Sequence, residues 1–475
     1  MKQRIVTVLI GTLFFCLATV PLVSQDEAGS PDLGLGMDLA LGTSTFTNPS
    51  TGQQENWQTL GLKPDLAIGK FGIGLDITLN YRFTTSEGEP GFEVRKEDWV
   101  PSEEAGTTFL DLYLPLFNYI RWGVKGEPLY AKIGGIEDGL LGNGFILGGF
   151  SNTLHRPDNR LVGLSFDLDG NLFGFPYVGL ETFVSNLAAF DLMGGRFYTR
   201  PLAWLNVPVL NTMQLGFTLV ADRDPFFFDR LDYKEVAAAS ETAPTYRYPD
   251  YQDYVESKEN LPDPASMWGF DLRVPILGSQ AISLAAFTDL VKQPSGTGFM
   301  IGFGGQAFSL LNFGAQVRVL GENFLPVYFD GNYDLYRVDK YRILTGEETV
   351  PGYEGWFATL GLDVLEGMVV FNASLEGPFK PDPDVLFLNP TLKGHLSVSP
   401  ELLAGFSLNG HYEKKGITDI ADLISPENAV IGLSVGYQTG PAIISLVYDL
   451  KYNPVTAEGA DPWKVTSSIE TTLTF

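Results

Sequence analysis

The chain has 475 residues, a formal net charge of −26 and a pI near 4.4. This acidity argues against binding to nucleic-acid phosphates, and it suits either simple surface repulsion or a surface that collects cations. Only 19% of the residues are charged, while 13% are aromatic and 53 are glycine. The hydrophobic residues are spread along the chain rather than gathered into long apolar helices.

The first element in chain order is an export signal. Lys2 and Arg4 precede the apolar stretch "IVTVLIGTLFFCLATVPLV", and small and polar residues follow it. This pattern predicts a secretory signal peptide over residues 1–25, which is cleaved and leaves a mature chain of 26–475. A membrane anchor is the alternative, although no other apolar run of this length follows. The single cysteine, Cys16, lies within the segment behind two phenylalanines, which argues against lipidation.

Beyond residue 30 the dominant pattern is two-residue alternation. In "FGIGLDITLNYRF" every second residue is apolar, and the residues between are small, polar or charged. Such alternation indicates strands with one apolar and one polar face, and runs of about ten residues are long enough to cross a bilayer when tilted. Twenty segments are candidate strands: 33–41, 57–69, 71–83, 107–120, 128–135, 160–168, 175–185, 190–200, 212–221, 267–275, 280–288, 297–304, 311–320, 354–364, 367–376, 388–398, 402–412, 428–437, 440–451 and 464–475.

The strands predict a single all-β domain over 26–475, a transmembrane antiparallel β-barrel of about 16–20 strands, with 20 or 18 preferred. An even number places short turns at one end and long outer loops at the other, the asymmetry expected of such barrels. The long loops lie near 84–106, 136–159, 222–266 and 321–352. Loop 222–266 is acidic and rich in tyrosine, and it could be a solvated surface, a constriction or a partner-binding loop. The glycine-rich segment 136–159 could fold into the barrel.

No motif in the chain predicts catalysis. "GLSVG" matches the G-x-S-x-G pattern, but Ser434 falls within a predicted strand, whereas a nucleophile elbow needs a strand, a sharp turn and a helix. His155, His395 and His411 lack the H-E-x-x-H spacing of a zinc site. We therefore expect no enzyme activity, no cofactor and no metal site.

The polar faces of the strands carry charges that would line the lumen. Facing rows of opposite charge create a transverse field in a pore and set its ion selectivity. The alternative is that these groups form inter-strand salt bridges within the wall, and the two interpretations are compatible. The candidate lumen-lining residues are Asp76, Arg82, Asp111, Lys132, Arg196, Tyr198, Arg200, Asp271, Arg273, Arg318, Asp363, Asp449 and Lys451.

The final strand, "TSSIETTLTF" ending at Phe475, carries a resemblance. The chain resembles Gram-negative-type outer-membrane β-barrel proteins of the general porin kind, in which a last strand with alternating apolar residues and a terminal aromatic is the signal for barrel insertion. The resemblance implies that Ile469, Leu473 and Phe475 carry this signal, and that removing Phe475 impairs assembly before it affects conductance.

The expected location is thus the outer membrane, reached through the signal peptide. The expected function is a porin-like channel for passive diffusion of small hydrophilic solutes or ions. A non-conducting binding, adhesin or structural barrel that acts through its outer loops is the alternative, and an outer-membrane enzyme is the least favoured. Expected partners are outer-membrane lipid, the barrel-insertion machinery and small solutes, without nucleic acid, and a homo-oligomer is left open.

Overall fold

The chain divides into two compact units, Met1–Asn118 with Leu473–Phe475, and Tyr119–Thr472. The predicted signal peptide, residues 231–260 of the predicted loop 222–266, and Phe475 lie outside the described part of the chain. The computed structural model describes residues 33–47, 54–86, 89–101, 109–113, 116–155, 160–205, 207, 209–230, 261–279, 281–365, 367–383, 385, 388–425, 429–439, 442–452 and 463–473.

The first unit is built on a long hairpin. Strands β1 and β2 pair in antiparallel register from Leu33–Ile68 to Thr47–Gln54. Asp76 interrupts the next strand, because its N–H donates to the carbonyl of Leu116 (2.8 Å) instead of joining a sheet ladder. β3 and β4 on either side of this break both pair with β2, and β5 pairs with β4. The strands are β1 (Leu33–Thr47), β2 (Gln54–Ile68), β3 (Phe71–Leu75), β4 (Ile77–Ser86) and β5 (Glu89–Val94).

The predicted strand 107–120 is wrong over residues 109–113. The backbone forms a short helix, α1 (Phe109–Tyr113), and strand β6 begins only at Phe117 and runs to Trp122. The rings of Phe109 and Tyr113 stack with centroids 4.3 Å apart, since residues i and i+4 share a helix face. Pro115 follows, and its missing N–H would leave a gap in any sheet ladder.

The second unit is a long antiparallel series. β6 pairs with β7, β7 with β10, and each strand from β10 to β22 with the next. β8 and β9 form a separate hairpin. The strands are β7 (Leu129–Gly134), β8 (Gly139–Leu140), β9 (Gly148–Phe150), β10 (Gly163–Asp169), β11 (Val178–Val184), β12 (Leu192–Thr199), β13 (Gln214–Asp222), β14 (Ala265–Gly278), β15 (Ile282–Lys292), β16 (Thr297–Ala307), β17 (Leu311–Leu320), β18 (Tyr353–Val364), β19 (Val369–Pro378), β20 (Thr391–Val398), β21 (Phe406–Lys414), β22 (Ala429–Thr439), β23 (Ala442–Tyr452) and β24 (Trp463–Leu473).

Each of the twenty predicted strand segments thus contains a strand, and the all-β, antiparallel prediction is confirmed. Since directly opposed residues in an antiparallel pair project to the same side, the register defines two faces of the second unit's sheet. We call the face that carries Arg196, Asp271 and Arg318 the inner face, and the face that carries Phe217 and Phe303 the outer face. No helix among the described residues is both long and apolar enough to span a membrane.

Large apolar side chains are exposed on the outer face. On β13, Leu215, Phe217 and Leu219 are each 40–49% exposed, whereas Thr218 and Val220 between and beside them are buried. The same alternation runs through β14, β16, β17 and β22. The sequence alternation is therefore reproduced, with the apolar side turned outward.

Two chain segments pack on the inner face. We call residues 136–152 the first insert and residues 322–350 the second insert. They follow β7 and β17, which run in the same direction, so both inserts leave the sheet at the same end of its strands. The second insert contains a 3₁₀ turn at Tyr333–Leu335 and the helix α2 (Arg337–Thr345).

Backbone hydrogen bonds join the two inserts. Gly148 N–H donates to the Phe329 carbonyl (3.1 Å), Phe329 N–H to the Ile146 carbonyl (3.1 Å), and Val327 N–H to the Phe145 carbonyl (2.9 Å). Pairing satisfies backbone groups that would otherwise be buried without partners. The inserts therefore form one structural element rather than two independent loops.

Candidate functional site

The inserts divide the inner face into a covered and an open part. Side chains of the inserts and inward residues of β11 to β17 form one apolar cluster, which includes Phe150, Phe183, Met267, Met300 and Tyr328. Beyond β17 most inward side chains are exposed or half-buried. We call the inner face of β11–β17 the covered wall and that of β18–β21 the open wall.

Inward glycines on the covered wall let the inserts approach the sheet. A Cβ on Gly298 would lie 2.2 Å from a ring carbon of Phe324, and one on Gly269 would lie 3.3 Å from the side chain of Ile146. Real Cβ atoms essentially never approach a ring atom to 2.2 Å. Glycine at these inward positions thus leaves room for the side chains of the inserts that cover the strands.

Below the apolar cluster lies a buried charge network centred on Arg196. Its guanidinium binds Asp271 through two hydrogen bonds (2.8 and 2.5 Å) and Glu181 through a third (2.7 Å), and the residue is only 2% exposed. Bidentate arginine–carboxylate pairs are among the strongest protein hydrogen bonds. The other oxygen of Glu181 accepts from Gly142 N–H of the first insert (2.8 Å). The network therefore joins three strands to an insert.

A second contact ties the first insert to the same wall. Asn143 Nδ2 donates to Asp289 Oδ2 on β15 (2.8 Å) across 146 residues of sequence. Asp289 and Asp271 also line a cavity of about 10 Å³ together with Thr218, which is just large enough for one water molecule. The wall at this level is acidic and closely packed.

Further ion pairs lie toward the ends of the strands that are away from the inserts. Asp169 accepts hydrogen bonds from Tyr198 Oη (2.7 Å) and from both terminal nitrogens of Arg200 (3.0 and 2.5 Å). Lys125 Nζ donates to Asp167 Oδ2 (2.9 Å). Most predicted lumen charges of the covered wall thus occur in cross-strand pairs.

The second insert is held by a buried network that the sequence does not reveal. Arg337 at the start of α2 binds Asp222 through two hydrogen bonds (2.6 and 2.7 Å) and Asp191 through one (2.8 Å). Tyr333 Oη donates to Asp222 (2.6 Å), and Asp334 lies 3.6 Å from the guanidinium. We call these five residues the Arg337 latch.

The Arg337 latch contains more acid than base. Three carboxyl groups surround one guanidinium, and all are nearly or fully buried. Burial raises the pKa of Asp334 to about 7, with Arg337 opposing the rise and Asp191 and Asp222 adding to it. Protonation of Asp334 leaves fewer unbalanced negative charges around Arg337.

Charged groups at the margin of the covered wall and on the open wall differ in accessibility. Arg318 is buried, donates to Glu376 (2.7 Å) and lies over the ring of Phe357 (4.4 Å). Arg273 and Asp363, in contrast, are exposed on the inner face, nearer the strand ends that are away from the inserts. Solutes on the open wall would therefore meet Asp363 directly, whereas Arg273 lies on β14 of the covered wall.

The remaining predicted residues lie in several environments. Lys132 is half-buried, 3.8 Å from Asp138 and over the ring of Tyr119. In the first unit Asp76 is buried and Arg82 pairs with Glu55 and Glu93. Residues known only by backbone position are Asp111 on α1, Asp449 and Lys451 on β23, and Ile469 and Leu473 on β24. Phe475 is outside the described residues, and the insertion signal stays a prediction.

Ser434 lies in the middle of β22, opposite Asn409 on one side and Val447 on the other. A nucleophile elbow needs a strand-to-helix turn, which this position lacks. Among the described residues no group of three or more histidine, cysteine, aspartate or glutamate side chains is arranged to hold a metal ion.

No protein-family model and no curated protein matches this chain. Solved structures that it resembles include Acinetobacter baumannii OccAB3, with 12% identity, 94% of this chain and 99% of that chain covered and a TM-score of 0.33. Another is Escherichia coli Wzi, described as a carbohydrate-binding β-barrel involved in group 1 capsule assembly, with 12% identity, 93% and 83% covered and a TM-score of 0.31.

Pseudomonas aeruginosa OprD is a third, with 9% identity, 94% of this chain and 92% of that chain covered and a TM-score of 0.29. Similarity at this level identifies neither a solute nor a partner. Wzi and OprD are described as outer-membrane proteins, the class that the sequence of this chain resembles.

Proposed function

We propose that the chain is a transmembrane β-barrel of the outer membrane and acts as a channel for small hydrophilic solutes or ions. The proposed membrane location rests on the outer face. Exposed Leu, Phe, Ile, Val and Trp side chains recur on strand after strand, whereas soluble monomers rarely expose a contiguous apolar patch of more than a few hundred Å². A bilayer provides the apolar surroundings that such a face requires.

The channel part rests on the open wall. A group of its inward side chains is polar or charged and exposed, as a hydrated lumen requires: Thr359, Asp363, Asn372, Lys393, His395, Asn409 and His411. The inserts cover the neighbouring wall and narrow the space available to solutes. Passage along the open wall, on which Asp363 is exposed, would sieve solutes by size and charge.

A non-conducting binding barrel is the second candidate. The apolar cluster under the inserts favours it, because a lumen that is filled with packed side chains conducts poorly. In that case the surface of the inserts and the outer loops would make the contacts.

Planar-bilayer recording of the purified, detergent-folded chain separates the two. We expect stepwise conductance, together with heat-modifiable migration in SDS gels and near-pure β circular dichroism. Protein that is folded by these criteria but adds no conductance would refute the channel and leave the binding barrel. Full solubility without detergent would refute the membrane location.

A further inference from the structure

Two of the three histidines of the chain lie directly opposite each other on neighbouring strands. His395 on β20 pairs in register with His411 on β21. Directly opposed residues of an antiparallel pair project to the same face, with Cβ atoms about 4.5–5.5 Å apart. The two imidazoles are therefore neighbours, although they are separated in sequence and match no local metal-binding spacing.

The pair lies on the open wall. The strand register shows this. Glu376 accepts a hydrogen bond from the inner-face residue Arg318, and Glu376 pairs with Thr391 on β20. His395 lies four residues after Thr391 and therefore on the same, inner side of β20. Both histidines are exposed. Their imidazoles are accordingly accessible from the inner side rather than from the apolar outer face.

We propose that His395 and His411 form a binding site for a divalent transition-metal ion of the Zn²⁺ class. Imidazole nitrogens bind Zn²⁺ at about 2.0–2.1 Å, so two nitrogens on one tetrahedral ion are roughly 3.3 Å apart. Side chains that start from directly opposed Cβ atoms can reach this separation. Water or a passing solute completes the coordination, because the described residues offer no third clustered ligand.

The charges around the pair set the strength of this site. Glu413, two positions along β21 from His411, lies 3.7 Å from Lys393 and 3.5 Å from Lys415. Two ammonium groups around one carboxylate leave a positive balance, which repels a metal cation. The site is consequently weaker than a closed structural zinc site and exchanges its ion with the solution, as suits a site that responds to metal in the lumen.

The test is a calorimetric titration of the full mature chain, without a polyhistidine tag, folded in detergent. ZnCl₂ is added in a buffer with excess Ca²⁺, which occupies carboxylates but not imidazoles. We expect one Zn²⁺ per chain, release by a chelator, and weaker binding at acidic pH because only the neutral imidazole is a ligand. H395N and H411N should each weaken binding at least about tenfold.

His155 provides the matched control, since it is the only other histidine and the predicted mature chain has no cysteine. Its ring stacks on Phe228 (3.8 Å), in a different part of the second unit. H155N should leave Zn²⁺ binding unchanged. Absence of saturable binding, or binding that survives in both H395N and H411N, would overturn the proposal. Because the readout is binding in detergent, the result is independent of whether the chain conducts.

Discussion

Replacing Arg337 by methionine should release the second insert from the covered wall. The substitution keeps a long side chain but removes the only guanidinium of the Arg337 latch, and it leaves Asp191 and Asp222 buried without their cationic partner. Breaking a buried ion pair by removing one partner costs about 3–5 kcal/mol. Since every 1.4 kcal/mol is a factor of ten, the docked fraction of the insert falls relative to the undocked by roughly 10²- to 10⁴-fold.

Limited proteolysis of the detergent-folded protein measures this effect directly. We expect new cleavage within residues 322–350, with the sheet still folded by heat-modifiable migration, and a larger or noisier conductance in planar bilayers. R342M is the matched control, because Arg342 lies on the same helix but pairs with Glu347 and Glu348 at the surface, where a salt bridge contributes about 0–1 kcal/mol.

Adding D222N to R337M removes one of the unbalanced charges and should restore part of the protection. An R337M protein with the same cleavage pattern and rate as the R342M control would refute the reasoning, whatever its conductance.

Three further predictions concern pH, packing and the outer face. The pKa of Asp334 is about 7 in the docked insert, whereas an ordinary carboxyl group has a pKa of about 4. Between these two pH values Asp334 binds more protons in the docked insert than in the undocked one, so docking weakens as the pH rises from about 4 to about 7. D334N should flatten the pH dependence of proteolysis, and an unchanged pH profile would contradict this explanation. A Cβ at Gly216 would lie 2.2 Å from a carboxylate oxygen of the Arg196 network, whereas one at Gly278 meets nothing within 4 Å; G216A should therefore lower the temperature at which the folded gel band converts, and G278A should not. Arginine at the outward Phe217 should cost about 2–4 kcal/mol of stability in lipid near the bilayer midplane, while arginine at the inward, exposed Asn312 should cost little; equal urea midpoints in liposomes would argue against a lipid-facing outer side.

The strands could be predicted from the sequence because alternation is a local property. Segment 311–320 is predicted and observed with the same limits, and the error at 107–120 arose where an alternating pattern contains a proline. Tertiary contacts with the two inserts are not encoded in this way. The apolar residues of 321–352 have no strand period, and the sequence leaves open whether they face lipid, water or other protein.

The charged pairs show the same limit. Arg196 and Asp271 are recognisable as polar-face residues, but their partnership spans 75 residues and depends on the register of three strands. Arg337 lies in a predicted loop, where no periodicity singles it out. The opposed histidines likewise become visible only once β20 and β21 are aligned.

The hydrogen bonds between the two inserts also impose an order on assembly. The bridge between Leu147 and Phe329 joins segments that follow β7 and β17, so it connects residues that are far apart in the sequence. Contacts between residues so distant in sequence form late, because the entropy of closing the intervening loop must be overcome first. The inserts should therefore cover the wall late in folding, and the inward apolar side chains of β11–β17 should pass through an uncovered stage while the strands are still pairing.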